Sequence, residues 1–157
     1  MKLVLYLTLI TAFICCQKSN SETNLNNNNV VQIVKEQTCD SCNIELIKRL
    51  RFAKKEPVLN DLVSFLGCCN PECWKNSEYA QAANYSLFIL IQRYPDMIIS
   101  TLEKDEYDFD FIANILENPI SEEVDISKTI SAVKSSKKEG LVKSKLLKSL
   151  SIAKSKL

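Results

Sequence analysis

The chain has 157 residues, 46% of them hydrophobic and 25% charged, with 20 bases, 19 acids and no histidine. This is the size and composition of one globular domain with a modest core. Without histidine there is no Ser-His-Asp or Cys-His catalytic arrangement, and a metal would have to be held by Cys, Asp or Glu. A balanced charge gives no global attraction to nucleic acid, so no nucleic-acid partner is expected.

The N-terminus reads as an export signal over residues 1–15. Lys2 supplies the positive charge, and Leu3 to Ile14 is an apolar run too short to span a bilayer comfortably. Cys15 and Cys16 follow, and from Gln17 the chain turns abruptly polar. The segment Phe13-Ile14-Cys15-Cys16 resembles the signal of a bacterial lipoprotein, in which an apolar run ends in a cysteine that is lipidated and becomes the first mature residue. Cys16 fits that position better than Cys15, with a large apolar residue three before it and a small one immediately before it. The family's usual leucine followed by alanine or glycine is missing. The resemblance covers residues 1–16 alone. It implies an acyl anchor on Cys16 and a place on the periplasmic or outer surface of a bacterial cell; plain secretion is the other reading.

Residues 16–29 are rich in Asn and Ser, with four consecutive asparagines at Asn26 to Asn29 and Leu25 as the one large apolar residue. Such a tract cannot join a core and suits a tether. Residues 30–157 are expected to form a single domain. Its first stretch, Val30 to Val34, fits either a strand or the start of a helix.

From Ile44 onward the pattern is helical. Leu46, Leu50 and Ala53 make one stripe, with basic residues opposite and at the C-terminal end. Pro57 suits the first turn of a second helix, whose stripe is Leu59, Leu62, Val63 and Leu66, with Gly67 as its C-terminal cap. Asn70-Pro71 restarts the chain as N-cap and first residue, and one helical segment is expected to run to Tyr94. Its middle, Ala80 to Ile91, is apolar almost all round and predicts the central helix of the domain. Tyr94-Pro95 turns the chain into a short helix with Met97, Ile98 and Leu102. Phe109, Ile112, Ala113 and Leu116 mark the next, capped by Asp108 or Asp110. Ile126, Ile130 and Val133 mark another, with Glu122, Glu123 and Asp125 in its first turn. Val142, Leu146, Leu150, Ala153 and Leu157 line the last.

The expected fold is therefore all-α, with about six or seven helices in an irregular bundle or a short α-solenoid. Scarcity of glycine agrees: there are only two, and sheet-rich folds use many in tight turns. The helix, proline corner, helix pattern from Ala80 to Leu102 resembles HEAT-like α-helical repeats, although the spacing is irregular.

Five cysteines remain after Cys16: Cys39, Cys42, Cys68, Cys69 and Cys73. In an exported domain they are expected to oxidise, with Cys39 or Cys42 bridged to the Cys68–Cys73 group and one thiol left over. Fifteen arrangements of two bridges exist, and sequence does not choose among them. Two other readings compete. Cys39, Cys42, Cys69 and Cys73 have a spacing acceptable for a four-thiolate zinc site. Val30 to Glu36 as a strand, then Cys39-x-x-Cys42, then a helix, is the local order of a thioredoxin-like active site.

Charge is segregated. Residues 96–125 carry ten acids and one base, whereas residues 126–157 carry nine lysines and one acid. The acids are expected to cap helices rather than bind calcium, since the spacing and glycine of an EF-hand loop are missing. The lysine-rich helix is expected to dock on the bundle rather than lie on an anionic membrane, because it lacks Trp and Phe anchors.

The functional expectation is a non-catalytic exported binding protein of the cell envelope, inhibitor- or immunity-like. Its partners would be the membrane, through a lipid anchor, and another protein. No catalytic residue and no cofactor are singled out. The alternatives are a thiol-redox or zinc-binding protein using the two cysteine clusters, or an enzyme with a carboxylate site within residues 103–125.

Overall fold

Side-chain caps open five of the eight helices in the computed structural model, which describes residues 42–104 and 107–157. The helices are α1 (Ile44–Phe52), α2 (Leu59–Gly67), α3 (Pro71–Trp74), α4 (Ser77–Arg93), α5 (Pro95–Leu102), α6 (Phe109–Glu117), α7 (Ile126–Ser135) and α8 (Leu141–Ser155). Asn43, Asn70, Asn76, Asp108 and Asp125 each accept a hydrogen bond from a backbone N–H of the first turn that follows. Those N–H groups have no partner inside the helix, so each cap contributes about 1 kcal/mol. The described residues contain no strand. Val30 to Val34 lies outside them.

The count is eight because the segment expected from Asn70 to Tyr94 is two helices. Asn76 receives the Tyr79 N–H at 3.1 Å and starts α4 afresh, while Asn70 has already capped the single turn of α3. Other details differ from expectation. Pro57 precedes the second helix, whose cap is Val58. Gly67 ends α2 as a helical residue, and Cys68 takes the cap position in ordinary right-handed geometry. The inward stripe of α2 is Leu62, Phe65 and Leu66, with Leu59 45% exposed. Leu59 shares its helix face with buried Leu66, so the difference lies along the axis: Leu59 is the first residue of α2, at its exposed end. Glu122 and Glu123 lie ahead of α7, not in its first turn, and Leu157 lies beyond α8 and is exposed.

The apolar run Ala80 to Ile91 does what its pattern requires. Helix α4 packs against α1, α3, α5, α6 and α7, with Ala83, Leu87, Phe88, Leu90 and Ile91 wholly buried. Partners so far apart in sequence make this a bundle, not a solenoid in which each repeat meets only its neighbours. Helix α8 lies across α6 and α7, burying Leu146, Leu150 and Ala153. The lysine-rich end is thus docked on the bundle, with most of its lysines outward. Lys156 reaches back from the end of α8 to the carbonyl of Glu117 at 2.9 Å. No helix of the described residues is long and apolar enough to cross a membrane.

A polar clip fastens the α7–α8 turn to α5. Asp96 accepts from the Ser136 hydroxyl and, at 2.9 Å, from the Lys137 N–H. Lys143, almost fully buried, donates to the Ser136 carbonyl at 3.0 Å and to Glu139 at 2.8 Å. Gly140 completes the turn with φ 133°, a conformation strained for any residue with a Cβ. The Ser136 hydrogen bond, followed by those from the Lys137 and Lys138 N–H groups, holds the Asp96 carboxyl below its ordinary pKa of 3.8. A depressed carboxylate pKa stabilises the fold above that value, and the contribution is lost as pH falls through the lower folded one. Urea melts between pH 7 and pH 2 should therefore show wild type losing stability below about pH 4 more steeply than Asp96→Asn. Equal acid limbs would exclude the clip as a titrating element.

Within α4, Ser86 is fully buried and its hydroxyl has no hydrogen-bond partner among the described residues. Ser86→Ala removes a desolvated group that forms nothing, so urea melts should show it unchanged or more stable by up to about 1 kcal/mol.

Candidate functional site

The cysteine cluster is a staple. Cys42, just ahead of α1, is disulfide-bonded to Cys73 in α3 across a sequence separation of 31, with Cα atoms 5.3 Å apart. The bridge closes a loop around α1 and α2 and ties it to the turn that leads into α4, as expected for a link between Cys42 and the Cys68–Cys73 group. Cys68 is disulfide-bonded too, and its partner lies outside the described residues. Cys39 and the lipidation candidate Cys16 also lie outside them. Cys69 is the leftover thiol: it is free, buried, and within 3.6 Å of the Phe65 carbonyl, to which its S–H donates.

This arrangement bears on the rival readings. Cys42 and Cys73, two of the four residues named for zinc, are bonded to each other, and a disulfide sulfur is not a thiolate ligand. No group of three or more metal-ligating side chains occurs among the described residues. The sulfur of Cys42 goes to Cys73 and not to its C-x-x-C neighbour Cys39. Burial pushes the Cys69 thiol up to about 12, so it carries almost no thiolate near neutral pH. Iodoacetamide at pH 8 should leave Cys69 unmodified in the native protein and alkylate it in denaturant without reductant. Rapid native labelling, read by peptide mass mapping, would contradict this burial.

Three of the acids of 103–125 have a structural role. Asp108 and Asp125 cap α6 and α7, and Glu117 accepts from the Ser149 hydroxyl at 3.2 Å.

The feature that sequence reasoning missed is an open groove of about 480 Å³ along one side of α4. Its floor is Glu78, Gln81, Ala82 and Tyr85, which follow i, i+3, i+4, i+7 and so share one helix face. This is the side of the central helix that the other described helices leave uncovered. Arg51, at the end of α1, forms one wall; Ile120, Ser121 and Glu123, in the α6–α7 connection, form the other. The Arg51 guanidinium carbon sits 4.1 Å from the centroid of the Tyr85 ring and 5.2 Å from that of Phe52. Such stacking is worth about 0.5–1 kcal/mol at an exposed site.

Both walls are held in place. Arg93 donates to the Arg51 carbonyl at 2.8 Å, and Tyr94 donates to the Lys55 carbonyl at 3.0 Å. Buried Asn84 fixes the other wall. Its amide donates to the carbonyls of Ile115 and Asn118, each at 3.3 Å, and its oxygen accepts from the Ile120 N–H at 3.0 Å. Phe52 and Ile120 remain 69% and 48% exposed beside this frame. The sequence signal was the pair of polar residues Glu78 and Gln81 ahead of an apolar run, but nothing local announces that Arg51 and Ile120 flank them.

No family model, curated protein or solved structure matches this chain.

Proposed function

We propose that the chain is an exported, lipid-anchored helical protein of the bacterial cell envelope that binds another protein, without catalysis, through the groove on α4. The observation that carries this reading is the composition of the groove: Arg51, Tyr85 and Ile120 line it together with Glu78, Gln81 and Glu123, and the exposed Phe52 lies beside Arg51. Arginine and aromatic residues are enriched in the cores of protein interfaces, and polar groups form their rims. The walls are fixed by hydrogen bonds, so little ordering is required on binding. The disulfide staple suits an oxidising compartment. The lipoprotein-like signal at Phe13 to Cys16 supplies the anchor, and the Asn/Ser-rich tract to Asn29 the tether. A domain presented in this way can hold or neutralise a neighbour, as small inhibitor or immunity proteins do.

The test has two arms. In a bacterial host fed an alkyne-bearing palmitate, the wild-type chain should be labelled and Cys16→Ser should not. A photo-crosslinking residue placed at position 120 should yield one discrete adduct that Tyr85→Ala abolishes. Unchanged labelling of Cys16→Ser would remove the anchor, and an adduct indifferent to Tyr85→Ala would remove the groove.

A further inference from the structure

We infer that the groove receives a helix of a partner protein that carries basic and apolar side chains, laid along α4. This rests on the groove being the binding surface and adds the chemistry of its occupant. The shape argues for a helix. The floor follows one face of α4 from Glu78 to Tyr85, so the trough runs along the α4 axis for about two turns, roughly 10 Å at 1.5 Å per residue. The walls come from separate elements on either side, and both are immobilised by Arg93 and Asn84. A rigid trough beside a helix is the setting in which an amphipathic helix seats its apolar face.

The charge argues for a basic occupant. Glu78 and Glu123 are exposed, and neither forms an ion pair among the described residues. Glu122, next to the groove in sequence, is exposed and unpaired in the same sense. The one cation of the lining, Arg51, has its face directed onto the rings of Tyr85 and Phe52. Glu123 forms no ion pair among the described residues, and Glu78 shares the field of Lys48, whose ammonium is bonded to Glu45, so both carboxylates can take a further cation, while the Arg51 charge is engaged with two rings. Between them, Ala82, the Tyr85 ring and the exposed Ile120 offer apolar area. A helix with lysine or arginine flanking one or two leucine-sized residues satisfies both features.

The probes are three fluorescein-labelled amphipathic peptides with one leucine pattern, whose polar positions are all lysine, all glutamine or all glutamate. Anisotropy with the full-length protein should rank lysine above glutamine above glutamate. The double variant Glu78→Gln/Glu123→Gln should weaken the lysine peptide about five- to tenfold and remove most of its salt dependence. Asp110→Asn, which removes an exposed acid outside the groove lining, should leave binding unchanged. Circular dichroism confirms that the variants stay folded. Tighter binding of the glutamate peptide would overturn the basic occupant while keeping the groove. Equal weakening by Asp110→Asn would reduce the effect to unspecific charge. Light scattering that shows a dimer dissolved by the double variant would make the occupant a second copy of this chain. Binding of none of the three would overturn the inference outright.

Discussion

Replacing Cys42 and Cys73 together by alanine should lower the unfolding free energy by about 3 kcal/mol. The bridge closes a loop with a sequence separation of 31, and restricting the unfolded chain over such a loop contributes typically 2–4 kcal/mol. For a domain of this size that corresponds to a fall in melting temperature of roughly 10 °C. The location adds to the expectation. Leu46, Ile47 and Leu50 of α1 and Leu62, Phe65 and Leu66 of α2 belong to the same buried core as α4. The bridge keeps these two helices in register with the turn that starts α4, so its loss should raise local opening of α1 and α2 first. Hydrogen exchange of α1 amides, alongside calorimetry, checks both parts. A shift below about 3 °C for Cys42→Ala/Cys73→Ala would mean that packing alone holds the hairpin.

Asn84→Ala should cost about 3 kcal/mol and abolish whatever the groove binds. The side chain is 1% exposed and makes three hydrogen bonds to backbone groups, one near the end of α6 and two in the connection that follows. Each contributes about 1 kcal/mol net, and each partner left buried without a replacement costs at least that much. Asn84→Asp keeps the size but loses the donors and places a charge in the core, so it should destabilise further. The functional consequence is separable from the stability loss. Ile120 and Glu123 form a wall of the groove because Asn84 holds the connection against α4. At a temperature where Asn84→Ala remains folded, lysine-peptide anisotropy should still be lost. Ser86→Ala, two positions along the same helix, is the control: it is equally buried and should retain both stability and binding. A loss below about 1 kcal/mol for Asn84→Ala would show that water replaces the side chain without strain.

The disulfide and Asn84 differ in how far the sequence announces them. Cysteines at Cys39–Cys42 and Cys68–Cys73, with the helical pattern between them, already implied a staple. Which sulfurs meet did not follow, because fifteen pairings satisfy the same spacing. Asn84 looked like a polar interruption of an apolar run. Its partners lie 31 to 36 residues away, and no local pattern names them.

By itself the sequence determined what depends on neighbours along the chain. The caps at Asn70 and Asp108, the proline corner at Pro95 and the all-round apolar surface of Ala80 to Ile91 rest on one or two turns of helix, where spacing controls both hydrogen bonding and burial. The same locality carried the all-α reading. The Asn76 cap that splits the Asn70–Tyr94 segment is local, whereas tertiary structure alone decided which helices meet α4 and that Cys42 chooses Cys73. It also decided which side of α4 stays open. A groove is what remains after the other helices have packed, and its lining is drawn from Arg51, Tyr85 and Ile120, which only long-range packing brings together.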